Sequence, residues 1–288
     1  GQGHFTTFAQ IVAEVLGVSA ADVRVITGDT REFNWGTGTF ASRGAVVAGS
    51  ACHEAATRVR DKALRLAAHE WNSTPDDLEM AGGTVRSKTD AATCIELGAL
   101  AAAANPLRGA VKPGTEPGLE ATAYFGPERG STASGVHAMI VDVDPETAMV
   151  DITRYVVVHD CGRVINPVIV EGQIQGGVAH GIGNSFYEQL AYDETGQLMN
   201  ASFMDYLLPT ATDVPDVQIE HSETPSPLNP LGVKGVGEAG AIPAAACFAQ
   251  AVEQALSDYE IEVLDIPLSP NSLFALIQAA HLKGESPS

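Results

Sequence analysis

A glycine-rich stretch that ends in a single carboxylate is the feature of this chain best suited to chemistry. In residues 231–240, glycines stand at positions 232, 235 and 237, and Glu238 follows them. Glycines let a backbone pass close to another group or adopt positive φ. Ile242-Pro243 then opens an alanine-rich helical pattern, because proline suits the first turn of a helix. A carboxylate held there in a tight, partly apolar pocket would have a raised pKa and could act as a general base.

The same stretch has two other interpretations. A glycine-rich turn with an acidic residue at the helix start would contain the same residues, since an acid there stabilises the helix dipole. A phosphate-binding loop is disfavoured, because no Gly-Lys-Ser/Thr ending follows the glycines. The glycines and Glu238 alone leave the general base and the capping acid as open alternatives.

Two more segments place polar groups before helical patterns. The first is Gly1-Gln2-Gly3-His4, ahead of a helix predicted at 6–16. Free N–H groups at a helix start and an amide side chain suit an anionic or heterocyclic ligand, although an N-capping turn needs the same residues. The second, residues 37–44, precedes a helix predicted at 45–71 and offers hydroxyls and backbone donors to a phosphate or another polar group. A solvated loop explains it equally well.

Two further segments in the second half of the chain invite chemical interpretations. The helical pattern at 166–187 contains five glycines, each costing roughly 1 kcal/mol relative to alanine. So many glycines predict very tight packing against a backbone or a ligand. His159-Asp160-Cys161 could suggest a nucleophile, but neighbouring residues on a strand point to opposite faces. We therefore interpret it as the end of a strand.

Composition limits the classes of partner. The 288 residues are 45% hydrophobic and 18% charged, with a formal net charge of −20, which indicates a compact acidic protein and disfavours nucleic acids and anionic membranes as partners. The four cysteines, at 52, 94, 161 and 247, include no C-x-x-C pair, so we expect no iron–sulfur cluster in this chain. No signal peptide or spanning apolar run is present, which predicts a cytoplasmic protein without membrane insertion. The start at Gly1, within a motif, suggests a fragment or processed piece.

The pattern of helices and strands predicts an α+β fold with mixed sheets rather than strict βα alternation. We expect two subdomains, 1–118 and 119–288, divided by a proline- and glycine-rich connector at 105–118. Further helices are predicted at 94–104, 243–257 and 270–281. Strands are predicted at 23–26, 119–124, 135–144, 149–159 and 218–220, with hairpins around Gly82-Gly83 and between 188 and 200.

Six of these segments occur together, in this order and spacing, in one family. They are Gln2-Gly3-His4 with Thr6-Thr7 and Gln10; Gly28-Asp29-Thr30; Ala41-Ser42-Arg43; Asp160-Cys161-Gly162 with Ile165-Asn166-Pro167; Glu171-Gly172-Gln173 with Gly176-Gly177; and Gly235-Val236-Gly237-Glu238. Over nearly its whole length the chain resembles the C-terminal half of the molybdenum-binding subunit of the xanthine dehydrogenase / aldehyde oxidase family. Residues 201–206 and Pro225-Ser226-Pro227 look most similar to its bacterial branch, which contains the carbon monoxide dehydrogenase large subunit.

The resemblance implies the second half of a molybdopterin-binding domain, with 1–118 as the cofactor-binding subdomain and 119–288 carrying the catalytic loop. In that family molybdenum is held by a pterin, in bacteria usually as the cytosine dinucleotide, and by no protein side chain. A glutamate, matched here by Glu238, acts as the base in hydroxylation with water-derived oxygen. The cofactor-binding positions implied are Gly1, Gln2, Gly3, His4, Thr39, Ala41, Ser42, Arg43, Gln173, Lys234, Gly235, Val236 and Gly237.

The resemblance also implies partners: a chain or segment carrying the first half of the molybdenum domain, an iron–sulfur subunit and an FAD subunit. The family's Gly-Gly-Gly-Phe-Gly cofactor loop and its substrate-selecting loop do not occur in these 288 residues. Oxidation of carbon monoxide is not implied, because Cys161 does not match the cysteine that marks that activity. His180 lies near a position that carries glutamine in another branch and is left unassigned.

Two functions remain as alternatives to a molybdenum hydroxylase acting on an aldehyde or N-heteroaromatic carbon. One is a non-catalytic half-subunit that keeps the fold but binds no cofactor. The other is a cofactor-independent hydrolase, which is disfavoured because no Ser–His–Asp set is placed along the sequence.

Overall fold

The computed structural model describes residues 1–34, 36–106 and 116–284, and the chain forms two compact units. The first comprises the described residues of Gly1–Ser131 and Pro225–Lys234, and the second those of Thr132–Thr224 and Gly235–Ser288. The sequence predicted two subdomains, 1–118 and 119–288, each formed by one continuous stretch of chain. In the structure, the segment Pro225–Lys234 belongs to the first unit instead. Composition alone does not indicate which segments distant in sequence pack together.

Two helices form one side of the first unit. Helix α1 (His4–Leu16) packs against α2 (Ser50–Glu70), which continues from a π-helical turn at Ala45–Gly49. The apolar spacing that predicts α1 is confirmed, because Phe8 and Ile11 lie on its buried face.

A small antiparallel sheet completes the core of the first unit. Strands β1 (Leu78–Ala81) and β2 (Thr84–Ser87) form the predicted hairpin, and Gly82 and Gly83 both have positive φ. Strand β3 (Cys94–Glu96) pairs with β2, so the order is β1-β2-β3. Helix α2 supplies the other half of this core, whose buried residues are Ala63, Ala67, Ala68, Leu78, Val85 and Leu100.

The helix predicted at 94–104 is shorter than expected. Helix α3 spans only Leu97–Ala103, because the preceding residues belong to β3, where Ile95 pairs with Val85. A β-branched residue beside a free sheet edge gains more from cross-strand packing than from a helical turn.

The second unit is built around a mixed three-stranded sheet. Strands β4 (Ser134–Asp144) and β5 (Met149–Asp160) pair antiparallel, and β6 (Val217–His221) pairs parallel with β5. Mixed sheets were predicted for the whole chain, and this unit has one, whereas the sheet of the first unit is wholly antiparallel.

Three helices accompany the second sheet. Helix α4 (Pro167–Ile182) extends through a π-helical turn at Gly183–Tyr187, and α5 (Ala244–Ala255) packs against both α4 and β4. Helix α6 (Pro270–Gly284) packs with α5 in a second core. The main core of the unit consists of Tyr155, Val157, Cys161, Val170, Ile174, Val178, Ile182, Val217, Ala244 and Phe248.

The hairpin expected between 188 and 200 is confirmed in reduced form, as a single antiparallel bridge between Tyr192 and Leu198. Two local predictions are wrong, because residues 23–26 and 119–124 form no strand. Within 119–124, side chains of α2 occupy backbone carbonyl oxygens that a neighbouring strand would otherwise use. Arg58 donates to the Thr122 carbonyl oxygen, and Lys62 donates to that of Glu120. Most of the predicted connector, residues 107–115, lies outside the described part of the chain.

Two of the glycines of α4, Gly177 and Gly181, provide very close packing. A methyl group on Gly177 would lie 2.7 Å from the Cα of Gly240, and one on Gly181 would overlap the side chain of Ala244. A methyl group on Gly240 would in turn overlap the Ile174 carbonyl oxygen. Two backbones therefore touch directly, and the partner of α4 is the segment that follows Glu238. Among the helices described, none is long and apolar enough to cross a membrane.

A polar chain crosses the core of the second unit. The Nε2–H of His137 on β4 donates to the carbonyl oxygen of Ala239 at 3.1 Å, since a carbonyl can only accept. The Nδ1 atom of a neutral imidazole is then an acceptor, and the hydroxyl of Tyr155 on β5 donates to it at 2.8 Å. Burial lowers the pKa of His137, opposed by the bond to Ala239 and assisted by nearby His159. Burial also raises the pKa of Tyr155, so the phenol keeps its proton.

Gly177→Ala and Gly176→Ala should have opposite effects on stability. A methyl group at 176 meets no atom within 4 Å, so better helix propensity should raise the free energy of unfolding by up to about 1 kcal/mol. At 177 the methyl group forces α4 away from Gly240, which should lower it by about 1–3 kcal/mol. Urea unfolding of the two variants measures both effects, and a gain in both would contradict the close contact.

The pKa of His137 predicts a dependence of stability on pH. Because folding holds this pKa below its value of about 6.5 in unfolded chains, the unfolded state binds more protons as the pH falls. The contribution of His137 to the free energy of unfolding is complete above about pH 6.5 and is lost as the pH falls through the folded-state pKa.

Thermal unfolding of wild type and His137→Gln, between about pH 8 and about pH 5, should show the smaller loss of stability in the variant. All other titratable groups are the same in both proteins, so the difference isolates His137. Equal losses would contradict the assignment.

Candidate functional site

The structure brings Gln2 and Thr39 together within the first unit. The Nε2 amide of Gln2 donates to Thr39 Oγ1 at 3.0 Å and to His4 Nδ1 at 2.7 Å. His4 is then neutral with its hydrogen on Nε2, in agreement with its burial, which lowers its pKa. A methyl group on Gly44 would lie 2.5 Å from His4 Nε2. Glycine at 44 therefore lets the histidine ring lie against the start of the next helical segment.

The loop before that segment has a constrained backbone. Ala41 and Ser42 have φ of 51° and 52°, and two consecutive left-handed residues that are not glycine are uncommon. Arg43 donates to Thr37 Oγ1 at 2.9 Å, and its guanidinium carbon lies 4.0 Å from the centre of the Phe40 ring. Strained residues of this kind cluster at ligand sites, so the loop is a candidate for binding.

The two glycines of the opening motif differ in conformation. Gly3 caps α1 with φ 82°, a left-handed conformation that glycine adopts at no steric cost, whereas Gly1 is exposed. The first unit therefore groups Gly3, His4, Gln2, Thr39 and Arg43 into two adjoining loops that present an amide, hydroxyls and a guanidinium.

The candidate base lies on a turn in the second unit. The Ala239 N–H donates to the Val236 carbonyl oxygen at 3.1 Å, and the N–H groups of Ala241 and Ile242 donate to the Glu238 carbonyl oxygen at 3.1 Å. The Glu238 side chain itself is exposed. The tight apolar pocket expected around this carboxylate is therefore not formed by the residues that the structure describes. The backbone, by contrast, is closely held.

Two histidines, the partly buried His137 and the buried His159, contact this turn on either side of Glu238. Besides the bond from His137 to the Ala239 carbonyl oxygen, His159 Nε2 lies 3.4 Å from the carbonyl oxygen of Gly235. Sequence reasoning did not single out His137. The alternation of β4 could have identified it, because His137 lies on the same face of the strand as the partly buried Met139, Val141 and Val143.

His159-Asp160-Cys161 is structural, as its position on a strand predicted. The Asp160 carboxylate accepts from the backbone N–H groups of Gly162 at 2.8 Å and Thr224 at 3.1 Å. Both His159 and Cys161 are buried, and these contacts secure the end of β5.

The other implied cofactor residues divide between the two units. Gln173 is partly exposed on α4, directly before Ile174, which contacts Gly240. Lys234 ends the segment Pro225–Lys234, which belongs to the first unit, and Gly235 begins the final segment of the second unit. The motif Gly235-Val236-Gly237-Glu238 thus starts at the point where the chain passes between units.

Two other carboxylates of the second unit, Glu171 and Glu188, could compete with Glu238 as the base, and both have partners of their own. Glu188 accepts a hydrogen bond of 2.5 Å from the Tyr206 hydroxyl, which raises the pKa of Tyr206. Glu171 lies 3.8 Å from Nε2 of His221, and its side chain is half exposed. These contacts favour structural roles for both, and Glu238 remains the best candidate for a base.

Comparison with known proteins gives a consistent result. A family model described as the molybdopterin cofactor-binding domain matches residues 1–215. The chain is 40% identical to the nicotine 6-hydroxylase large subunit of Paenarthrobacter nicotinovorans, over 95% of this chain and 34% of that protein. It is 37% identical to the carbon monoxide dehydrogenase large chain of Hydrogenophaga pseudoflava, over 93% and 33%.

Solved structures agree. The crystal structure of quinoline 2-oxidoreductase from Pseudomonas putida 86 matches with a TM-score of 0.87 and 42% identity, over 100% of this chain and 36% of that one. The chain thus spans about a third of the length of its relatives. With the family model covering most of its residues, it belongs to the molybdopterin cofactor-binding domain family, within the molybdenum-binding subunits of xanthine dehydrogenase-type enzymes.

Proposed function

We propose that this chain is a component of a molybdenum hydroxylase that oxidises an aldehyde or an N-heteroaromatic carbon with water-derived oxygen. The observation that carries the proposal is Glu238, an exposed carboxylate on a turn whose backbone is held from several sides. Relatives named for nicotine and quinoline support a nitrogen heterocycle as substrate, since both molecules contain one.

The polar groups of the first unit fit a pterin cofactor. Pterins carry donors and acceptors on a heterocycle, which suits an amide such as that of Gln2, and their phosphates suit N–H groups and a guanidinium. Ala41 and Ser42, in left-handed conformation, shape the backbone beside Arg43. We assign these residues to cofactor binding, with the cytosine dinucleotide form expected in a bacterial enzyme.

Gln173 and the segment from Lys234 to Gly237 are also assigned to cofactor binding. Gly237 is exposed beside Glu238, while Gly235 and Val236 are partly buried. Glycines in this turn would let the cofactor approach the backbone closely.

Glu238 acts as the general base in this proposal. When bound, the molybdenum–pterin group supplies two-electron redox chemistry and a water-derived oxygen. The Glu238 carboxylate accepts the proton released as that oxygen is transferred to substrate, and it returns the proton to solvent afterwards. The hydrogen bonds of the turn hold the backbone of Glu238 in place, so little reorganisation of the backbone is needed during the reaction.

Partner chains complete the enzyme. The chain covers about a third of its relatives, and we propose that a further chain or segment carries the first half of the molybdenum domain. Electrons then pass to iron–sulfur and FAD groups on further subunits. In support, the sequence contains no C-x-x-C pair of the kind that an iron–sulfur cluster uses.

The alternative is a scaffold that keeps the fold without the cofactor. Metal and pterin analysis of the complex purified from its native host distinguishes the two. We expect molybdenum and pterin in the complex, and their absence would favour the scaffold.

Glu238→Gln should reduce turnover by about 10²–10⁴-fold, because it keeps the shape and hydrogen bonding of the side chain but removes the base. Molybdenum and pterin contents should stay near those of wild type. Steady-state kinetics and metal analysis on the purified complex measure both.

Glu171→Gln is the matched control, since it removes an exposed carboxylate from the same unit. It should keep wild-type turnover. Normal turnover in Glu238→Gln would place the base elsewhere, and loss of cofactor together with activity would make Glu238 structural.

The isolated 288-residue chain should not hydroxylate substrate, even with a simple dye as electron acceptor. It would supply only part of the cofactor site and no electron relay. An assay of the purified chain against the intact complex, with the same substrate and dye, tests this expectation. Turnover by the isolated chain would show that the partner subunits are dispensable.

A further inference from the structure

The turn that carries Glu238 is contacted at both ends by histidines from adjacent strands. Gly235 precedes Glu238 by three residues, and Ala239 follows it directly. The carbonyl oxygen of Gly235 lies 3.4 Å from His159 Nε2, and that of Ala239 lies 3.1 Å from His137 Nε2. The backbone on each side of the candidate base therefore faces an imidazole nitrogen.

The rings themselves are fixed by the core. Tyr155 donates to Nδ1 of His137 at 2.8 Å, and its ring meets that of His137 edge-on, with 5.6 Å between centres. This bond sets the tautomer that leaves Nε2–H for Ala239. Tyr155 is fully buried against Phe248 of α5, so a side chain of the core orients the group that touches the turn.

The ring of His159 is also closely packed. Its side chain is 4% exposed, and a methyl group on Gly135 would lie 3.0 Å from its Nδ1. Its strand neighbour on β6 is His221. Burial in this position leaves the ring little freedom, because it lies close against Gly135 of β4.

Helix α5 completes the arrangement. The thiol of Cys247 lies 3.7 Å from the carbonyl oxygen of His137, so the helix that follows the turn contacts the same residue of β4. The turn and the start of α5 thus share His137 as a common point of attachment.

We propose that His137 and His159 are positioning residues for Glu238, which hold the backbone of residues 235–239 through its two flanking carbonyl oxygens. This inference rests on the proposed function of Glu238. Misplacing a catalytic group by about 1 Å can cost about 10²-fold in rate. His137 makes the shorter of the two contacts, and it therefore contributes more to the positioning of the turn.

His137→Phe in the intact complex removes both hydrogen bonds of the ring and keeps an aromatic side chain. Amide hydrogen exchange of a peptide covering 235–242 should become at least about tenfold faster, because the turn opens more readily. The kcat should fall roughly 10²-fold, with KM changed by less than about threefold. Molybdenum and pterin contents should stay normal.

Three further variants sharpen the test. His137→Gln keeps an N–H donor and should recover much of the exchange protection and of kcat. Tyr155→Phe deletes one oxygen from the core and should change both quantities in the same direction as His137→Phe, by less. His281→Phe makes the same substitution on an exposed ring that packs edge-on against Tyr259 in the same unit, and it should change neither.

The outcomes are distinguishable. Wild-type exchange and kcat in His137→Phe would overturn the proposal, as would loss of molybdenum and pterin together with kcat. If His137→Phe opens the turn while Glu238→Gln keeps normal turnover, the positioning of the turn stands and the proposed base does not. If Glu238→Gln is inactive but Tyr155→Phe and His137→Phe leave exchange unchanged, the base stands and the positioning role fails.

Discussion

The contact between Gly177 on α4 and Gly240 is the constraint on which the second unit depends. A methyl group on either residue would come within 3 Å of the other's backbone, a separation that only glycines tolerate. The segment that begins two residues after Glu238 is thereby held against α4. Helix α5 starts at Ala244, whose side chain fills the space above Gly181. Close backbone contact thus determines where the candidate base can lie.

Hydrogen bonds, rather than close contacts between glycines, hold the other side of the turn. Tyr155 is fully buried in the apolar core and His137 beside it is partly buried, and their hydrogen bonds to one another and to Ala239 offset the cost of taking them out of water. A buried polar chain of this kind specifies one geometry, because any other arrangement leaves a donor or an acceptor unpaired. The contact between the glycines sets how closely the turn approaches α4, and the hydrogen-bonded chain sets how the backbone of the turn is oriented.

Much of the fold follows from local pattern. The apolar spacing of α1 and the alternation of β4 predicted both elements correctly, since one face of each is buried. The prediction failed at Ile95, which pairs with Val85 on a sheet edge, and at Thr122, whose carbonyl oxygen is taken by Arg58 from a distant helix. In both cases a partner remote in sequence decided the local conformation.

The sequence by itself determined the family and the candidate residues, because the motif Gly235-Val236-Gly237-Glu238 and five others occur in a fixed order. It also indicated that the glycines of α4 serve close packing. Only the tertiary structure decided what that packing touches, that Thr39 joins Gln2, and that His137 faces the Ala239 carbonyl oxygen, 102 residues away. Spacing along the chain carries no information about such contacts, since they depend on how the strands and helices pack.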